Sequence, residues 1–288
     1  MLIYTLSTKI WPFSTKNKIL GGDNLKNKNI KIIFSILLIL VVGITIKTLN
    51  TQNTQSEKTL RKRFKDHVVF YPQHQDDEIL WGVSAISDAV KQCGANNVYV
   101  VLVSDGSGVN VFNQIPRFKG ITRKEKEILR NNEFKAALHE LGVKDSNIVI
   151  LADEAEKPGT HYDLMEKTIL KFEKELGDVT QVAHHYRYDN HIMHRKNGQV
   201  LKKLSDEHKV ADARYFIKPE YLEYIPKDKR DIYKSETKEE KDKSKKAIDQ
   251  YKIVNEKEQR FGIGYTSTHR YFDHLYNDPN YTSVLSFY

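Results

Sequence analysis

The chain has 288 residues, 39% hydrophobic and 29% charged, the make-up of a globular protein with one large or two small domains. The net charge of +8 is unevenly spread: residues 1–65 hold twelve Lys/Arg and two Asp/Glu, a balance of +10, so residues 66–288 stand at −2, which removes the electrostatic basis for nucleic-acid binding. The single cysteine, Cys93, excludes an intrachain disulfide and any multi-cysteine metal site.

In chain order, a basic segment (residues 1–31) comes first, followed by the apolar run Ile32–Ile46 between Lys31 and Lys47. A bilayer span needs about 20 residues, and the flanking lysines can snorkel to lengthen a run this short. No small-x-small cleavage site follows, so the run is expected to be an uncleaved, single-pass transmembrane anchor rather than a removed signal peptide. Lys9, Lys16, Lys18, Lys26, Lys28 and Lys31 all precede it. The positive-inside rule then puts the N-terminus in the cytoplasm and the main domain outside the cell membrane. Residues 47–65 read as a polar tether.

From residue 66 strands and helices alternate. Strands are expected at 67–71, 98–104, 147–151 and 179–185, and helices at 78–93, 122–142 and 162–176. Thr122 is the expected N-cap, with Gly142 as the stop. The charged stretch 235–259 reads as a helix with a solvated face. The aromatic-rich tail, 264–288, reads as β or irregular structure covering one edge of the sheet. This pattern predicts an α/β class: a Rossmann-like, mostly parallel sheet flanked by helices over 66–288. Ligands in such sheets sit beyond the carboxyl ends of the strands, where His74, Asp105, His184 and His185 fall.

Two clusters at strand ends carry the chemistry. His74, Asp76, Asp77 and Glu78 follow the first strand. Adjacent carboxylates repel unless a positive charge lies between them, and a divalent metal is the simplest one. His74 and Asp77, three apart at a helix start, can face one point. Helix capping would account for one or two of the acids but not for His74. The second cluster runs from His184 to His194. Two histidines and a carboxylate with open positions suit a hydrolytic Zn²⁺, and the same trio could hold iron. Arg130 could bind substrate or pair with Glu133, and Asp105 could orient a ligand or form an Asx-turn with Gly106. Trp81 could stack a sugar, though its helical position favours packing. Tyr265, His269 and Arg270 are polar enough to line a substrate groove.

These motifs resemble the PIG-L/LmbE-like family of metal-dependent N-acetylglucosaminyl deacetylases. The family's Ala-His-Pro-Asp-Asp-Glu after a strand is matched by His74-Gln75-Asp76-Asp77-Glu78, with Gln75 in place of proline. Ser104-Asp105-Gly106, Arg130 with Glu133, Leu141-Gly142-Val143 and Tyr188-Asp189-Asn190-His191 follow in the family's order. The resemblance implies His74, Asp77 and His191 as metal ligands, with His194 the alternative to His191, and Asp76 as general base. Tyr188 stands where the family has a histidine, which leaves the oxyanion donor open among Tyr188, His185 and His194. Arg130, Asp105 and His185 are expected at the substrate. The implied activity is Zn²⁺-dependent removal of acetyl from an N-acetylglucosamine-type sugar, in a cell-envelope glycan or glycolipid given the anchor. Two alternatives are an inactive carbohydrate-binding protein on this fold and a cytosol-facing deacetylase of a small glycoside.

Overall fold

A computed structural model describes residues 62–287. The segment 1–31, the anchor expected at 32–46 and residues 47–61 lie outside the described residues. Among the described residues no helix is long and apolar enough to cross a membrane.

Five strands run parallel: β1 (His67–Phe70), β2 (Val98–Leu102), β3 (Ile148–Ile150), β4 (Val179–His184) and β5 (Ala213–Phe216). Then come β6 (Arg230–Tyr233), a separate small pair formed by β7 (Val254–Asn255) and β8 (Arg260–Phe261), and β9 (Ser283–Ser286). The seven-stranded sheet has the order β3-β2-β1-β4-β5-β9-β6, with β9 antiparallel to both its neighbours. From β1 the chain steps outward to β2 and β3, then returns to lay β4 on the other side of β1. The carboxyl ends of β1 and β4 therefore flank the switch point where such sheets bind ligands.

The main helices are α1 (Asp77–Leu80), α2 (Val83–Cys93), α3 (Arg123–Glu140), α4 (Tyr162–Leu176), α5 (Ile192–Asp206), α6 (Lys238–Asp249) and α7 (Ile263–Asn277). Thr122 caps α3 in a capping box with Glu125, as its sequence position predicts. The expected helix 78–93 is divided at Gly82, where an added Cβ would meet Glu78 O at 2.8 Å and the Phe216 ring at 2.9 Å. Strand residues alternate between two cores, one on each face of the sheet. Val68 and Phe70 join Ile86, Phe134 and Phe272, while Val69 and Tyr71 join Met165, Ile169 and Leu201.

The ends of the domain differ from the expectation. Residues 62–65, assigned to the tether, pack onto the domain: Phe64 is buried and stacks on Tyr233 at 5.2 Å. The tail is largely α7 rather than β or irregular. Gly262 and the aromatic content hide a helical spacing in which Ile263, Phe272 and Leu275 are buried. Its last residues form β9 inside the sheet, between β5 and β6, rather than a cover over the edge.

A candidate metal centre at the strand switch point

The loop after β1 gives each of its acids a different task. Asp76 has φ 114°, a left-handed conformation costly for a non-glycine residue. Its own N–H donates to Glu78 Oε2 at 3.0 Å, and Glu78 Oε1 accepts from Tyr251 Oη at 2.5 Å. Arg130, fully buried on α3, donates to Gln75 O and, at 3.2 Å, to Asp76 Oδ2. Glu78 and Arg130 thus hold the strained residue at its N–H and at its carboxylate. Asp77 turns the other way; its Oδ1 accepts from Trp81 Nε1 at 3.0 Å and its Oδ2 from His74 N at 2.8 Å. Gln75, which replaces the family's proline, donates to Asp105 O and Asn131 Oδ1. It presses so closely on Gly106 (φ +61°) that a Cβ there would meet Gln75 Oε1 at 1.9 Å.

The β4 side is set by Asn197 and Gly198 on α5. Asn197 donates to Tyr71 O and accepts from His184 N, both at 3.1 Å, clamping the ends of β1 and β4 together. The helix lies so close to the strand that a Cβ on Gly198 would come within 2.1 Å of His184 O. His194, on the first turn of α5, is thereby aimed at Asp77.

Three donor atoms form a nearly equilateral triangle. Asp77 Oδ2 is 3.4 Å from His74 Nδ1 and 3.3 Å from His194 Nε2, and the two nitrogens are 3.2 Å apart. Tetrahedral zinc with bonds of about 2.0–2.1 Å spans about 3.3–3.4 Å between neighbouring donors, so these residues fit such an ion. Asp189 Oδ2 bonds His194 Nδ1 at 3.0 Å, the carboxylate–histidine support that orients a ligand. Lys218, buried at the end of β5, bonds Asp189 Oδ1 at 2.8 Å and Asn190 Oδ1 at 2.7 Å. His184 Nε2 is also 3.3 Å from Asp77 Oδ2, but it already accepts from Gln73 N at 3.2 Å. His191, exposed at the rim, groups with His74 and His194 rather than with Asp77.

Electrostatics point the same way. Burial and the neighbouring His194 lower His184 to about 4, and burial with His194 and His74 lowers His191 to about 4. Burial opposes charge on His194 as well, yet Asp77 and Asp189 outweigh it and raise that imidazole to about 9. Burial likewise opposes charge on Asp77, which His194 and His184 nonetheless hold well below the usual carboxylate range. The centre therefore favours one positive charge between two carboxylates. Burial pushes the Asp76 carboxyl up to about 7, with Arg130 pulling against it.

A cavity of 1140 Å³ opens onto this cluster, lined by His74, Asp76, Asp77, Asp105, Arg130 and His191 among others. Arg130 pairs with Asp76, not with Glu133, whose carboxylate instead accepts three backbone N–H groups at Phe261, Ile263 and Gly264. Asp105 forms the Asx-type bond to Ser107 N and also accepts from Arg123 Nε at 2.7 Å. Two expected site residues lie elsewhere. Tyr188 stacks on Tyr224 at 5.6 Å and packs with Ile217, Ile225 and Val284. His185 is fully buried among Tyr186, Tyr188 and Tyr215, and its Nδ1 accepts from Arg187 N and Tyr188 N. The cause is strand alternation: successive residues leave opposite faces, so His184 reaches the cluster and His185 does not. Lys218 carries no signal in the sequence, because its role depends on contacts that reach across from the end of β5 to Asp189 and Asn190.

No protein-family model matches the chain, and no curated protein matches it in sequence. Solved structures do match. A deacetylase of the teicoplanin biosynthetic pathway, in a triple-mutant form, aligns with a TM-score of 0.53 at 17% identity over 76% of this chain and 96% of that one. The A40926 pseudoaglycone deacetylase Dbv21 aligns with a TM-score of 0.53 at 15% identity over 77% and 96%. The zinc-inhibited form of teicoplanin deacetylase Orf2 gives a TM-score of 0.52 at 15% identity over 76% and 97%. The chain is thus an α/β protein with a His/Asp cluster at its switch point. Its fold is that of the LmbE/PIG-L-type deacetylases, as the sequence motifs implied.

Proposed function

We propose that this protein is a divalent-metal amide hydrolase that removes the acetyl group from an N-acetylglucosamine-type sugar. The observation that carries the reading is the donor triangle of His74, Asp77 and His194, with the buried Asp76 carboxyl on its cavity side. We assign those three residues as ligands, with Zn²⁺ as the preferred ion. His191 becomes a rim residue facing the substrate instead of the third ligand. A bound cation would supply Lewis-acid activation of a water and of the acetamide carbonyl. Arg130 fixes Asp76 Oδ2, so Oδ1 is the oxygen available to take the water's proton and return it to the departing amine. His191 donates an N–H toward the carbonyl oxygen as it gains charge, in place of Tyr188 or His185. Asp105 and Arg130 shape the cavity wall against the sugar. The apolar run Ile32–Ile46 and its flanking lysines support a single-pass anchor with this domain outside the cell, and hence a cell-envelope glycan or glycolipid as substrate.

The test is acetate release from N-acetylated amino sugars by the metal-loaded protein, before and after chelation. Activity that is abolished by a chelator and restored by Zn²⁺ or another divalent ion is the expected result. Sugar binding without acetate release under any metal would make the protein a carbohydrate-binding module instead. Protease accessibility on intact cells tests the topology, and full protection of residues 62–287 would reverse it.

A further inference from the structure

The hold on Asp76 does not end at Glu78. Tyr251, just past the end of α6, is fully buried, as is Glu78, and neither lines the cavity. Glu78 bridges the two: its Oε1 accepts from Tyr251 Oη at 2.5 Å and its Oε2 from Asp76 N at 3.0 Å. Asp76 also starts α1, its carbonyl accepting from Ile79 N at 3.1 Å and Leu80 N at 2.8 Å. A buried carboxylate oxygen without a donor is costly. Without the phenol, Glu78 Oε1 would turn toward another donor, and the Asp76 N–H that keeps this residue at φ 114° would be released. Burial and the charges of Glu78 and Asp76 push the Tyr251 hydroxyl well above its ordinary range, so it stays a donor.

Tyr251 is itself firmly fixed. Its carbonyl accepts from Tyr265 N at 3.3 Å, and the first turn of α7 lies so flat on its ring that a Cβ on Gly264 would collide with it. That turn is tied to α3, where Glu133 accepts from Phe261 N, Ile263 N and Gly264 N. Arg130, three residues earlier on α3 and on the same face, holds Asp76 Oδ2 at 3.2 Å. One frame, α3 with the start of α7, therefore fixes both the carboxylate of Asp76 and the backbone that carries it.

We propose that Tyr251 is a positioning residue for the base: through Glu78 it locks the Asp76 backbone in the conformation that leaves Oδ1 free while Oδ2 rests on Arg130. This rests on the deacetylase reading above. Tyr251→Phe in the full-length, metal-loaded protein keeps the ring under Gly264 and removes only the hydroxyl. A misplacement of about 1 Å costs about 10²-fold, so kcat for acetate release from N-acetylglucosamine is expected to fall about 10–100-fold, with KM and metal content within about twofold. In an Asp76→Asn background the same change is expected to cost less than about twofold, because the group it positions is gone. Amide hydrogen exchange, read by NMR in aspartate-labelled protein, follows the hold without any turnover. Exchange at Asp76 N–H should quicken about tenfold or more, while that at Asp88, within α2, stays within about twofold. Should Tyr251→Phe fail to fold, Glu78→Met with Tyr251→Phe replaces both buried partners by apolar groups and is read for the same pattern. Unchanged kcat, unchanged exchange at Asp76, equal acceleration at Asp88, or an undiminished loss in the Asp76→Asn background overturns the proposal. If the wild type releases no acetate, the hydrolase reading fails by itself, and the exchange at Asp76 still decides whether Tyr251 holds that residue.

Discussion

The two loops that build the centre are made differently. After β1, residues 75–81 are all buried and His74 is half-buried. Bonds from α3, from Tyr251 and from Trp81 fix all three acids. After β4, Arg187, Asn190, His191 and Ile192 are exposed, and the loop is anchored through two buried residues, Asp189 and His194. The first loop is therefore part of the core, and the second is a surface segment pinned at its metal-facing end. On the proposed function, the contrast assigns the geometry of the base to the fold's interior and the hold on a cation to a short side-chain relay, Lys218–Asp189–His194. Turnover and metal affinity should then be separable by mutation.

The largest expected effect falls on the first loop. Asp76→Asn keeps the shape and the Arg130 contact but removes the proton acceptor. Acetate release should fall by about 10²–10⁴, the usual contribution of a general base. Metal content measured on the same sample should be unchanged. A parallel loss of metal would show that the two loops are not independent. The next effect belongs to the second loop. Asp189→Asn weakens the support of His194, and metal affinity should drop by about 10–100-fold in a competition titration against a chelator. Turnover at saturating metal should largely return. Failure to recover would mean that Asp189 acts on the substrate rather than through His194.

Much of this arrangement was legible in the sequence, and for a physical reason. Four of the five parallel strands are short, mainly apolar runs closed by turn residues, whereas β5, Ala-Arg-Tyr-Phe, carries a charge in its middle and was not expected. His74 to Glu78 could thus be placed at a strand end without any coordinates. The centre's second half was only partly legible. His191 and His194 are three apart at a helix start, and spacing alone does not decide which one faces inward. Burial decides it: Asp189 and Lys218 draw His194 into the core and leave His191 at the rim. His185 and Tyr188 misled for a similar reason, since chemically suitable side chains beside a strand end point inward only in alternation. The C-terminal third was least legible. β9 gains its place by pairing with β5 and β6, both distant in sequence, and no local pattern encodes that insertion.

A close backbone approach holds the second loop between its strand and its helix and gives the third prediction. Gly198 lets α5 approach His184 so closely that a methyl group would need the strand or the helix to move. Gly198→Ala gains helix propensity but meets backbone atoms, and overpacking of this kind costs about 1–3 kcal/mol. Urea or thermal unfolding should show a net loss of stability. A neutral or stabilising result would mean that α5 can lift off β4 without cost, and the second loop would then not be held by its helix.

The smallest effect is expected at Tyr188, and its smallness is the informative part. The hydroxyl at this position is one of three sequence features that invited an oxyanion role, yet the ring stacks on Tyr224 away from the cavity. Tyr188→Phe retains the ring and its packing and removes only the hydroxyl. Both stability and acetate release should stay within about twofold, the range of a substitution that touches no special feature. His191→Ala, on the same loop but lining the cavity, should lower kcat clearly more than it alters metal content. If Tyr188→Phe were instead the damaging change, the β4 loop would have to rearrange when substrate binds, swinging position 188 inward. The division between a fixed first loop and a pinned second one would then describe only the ligand-free protein.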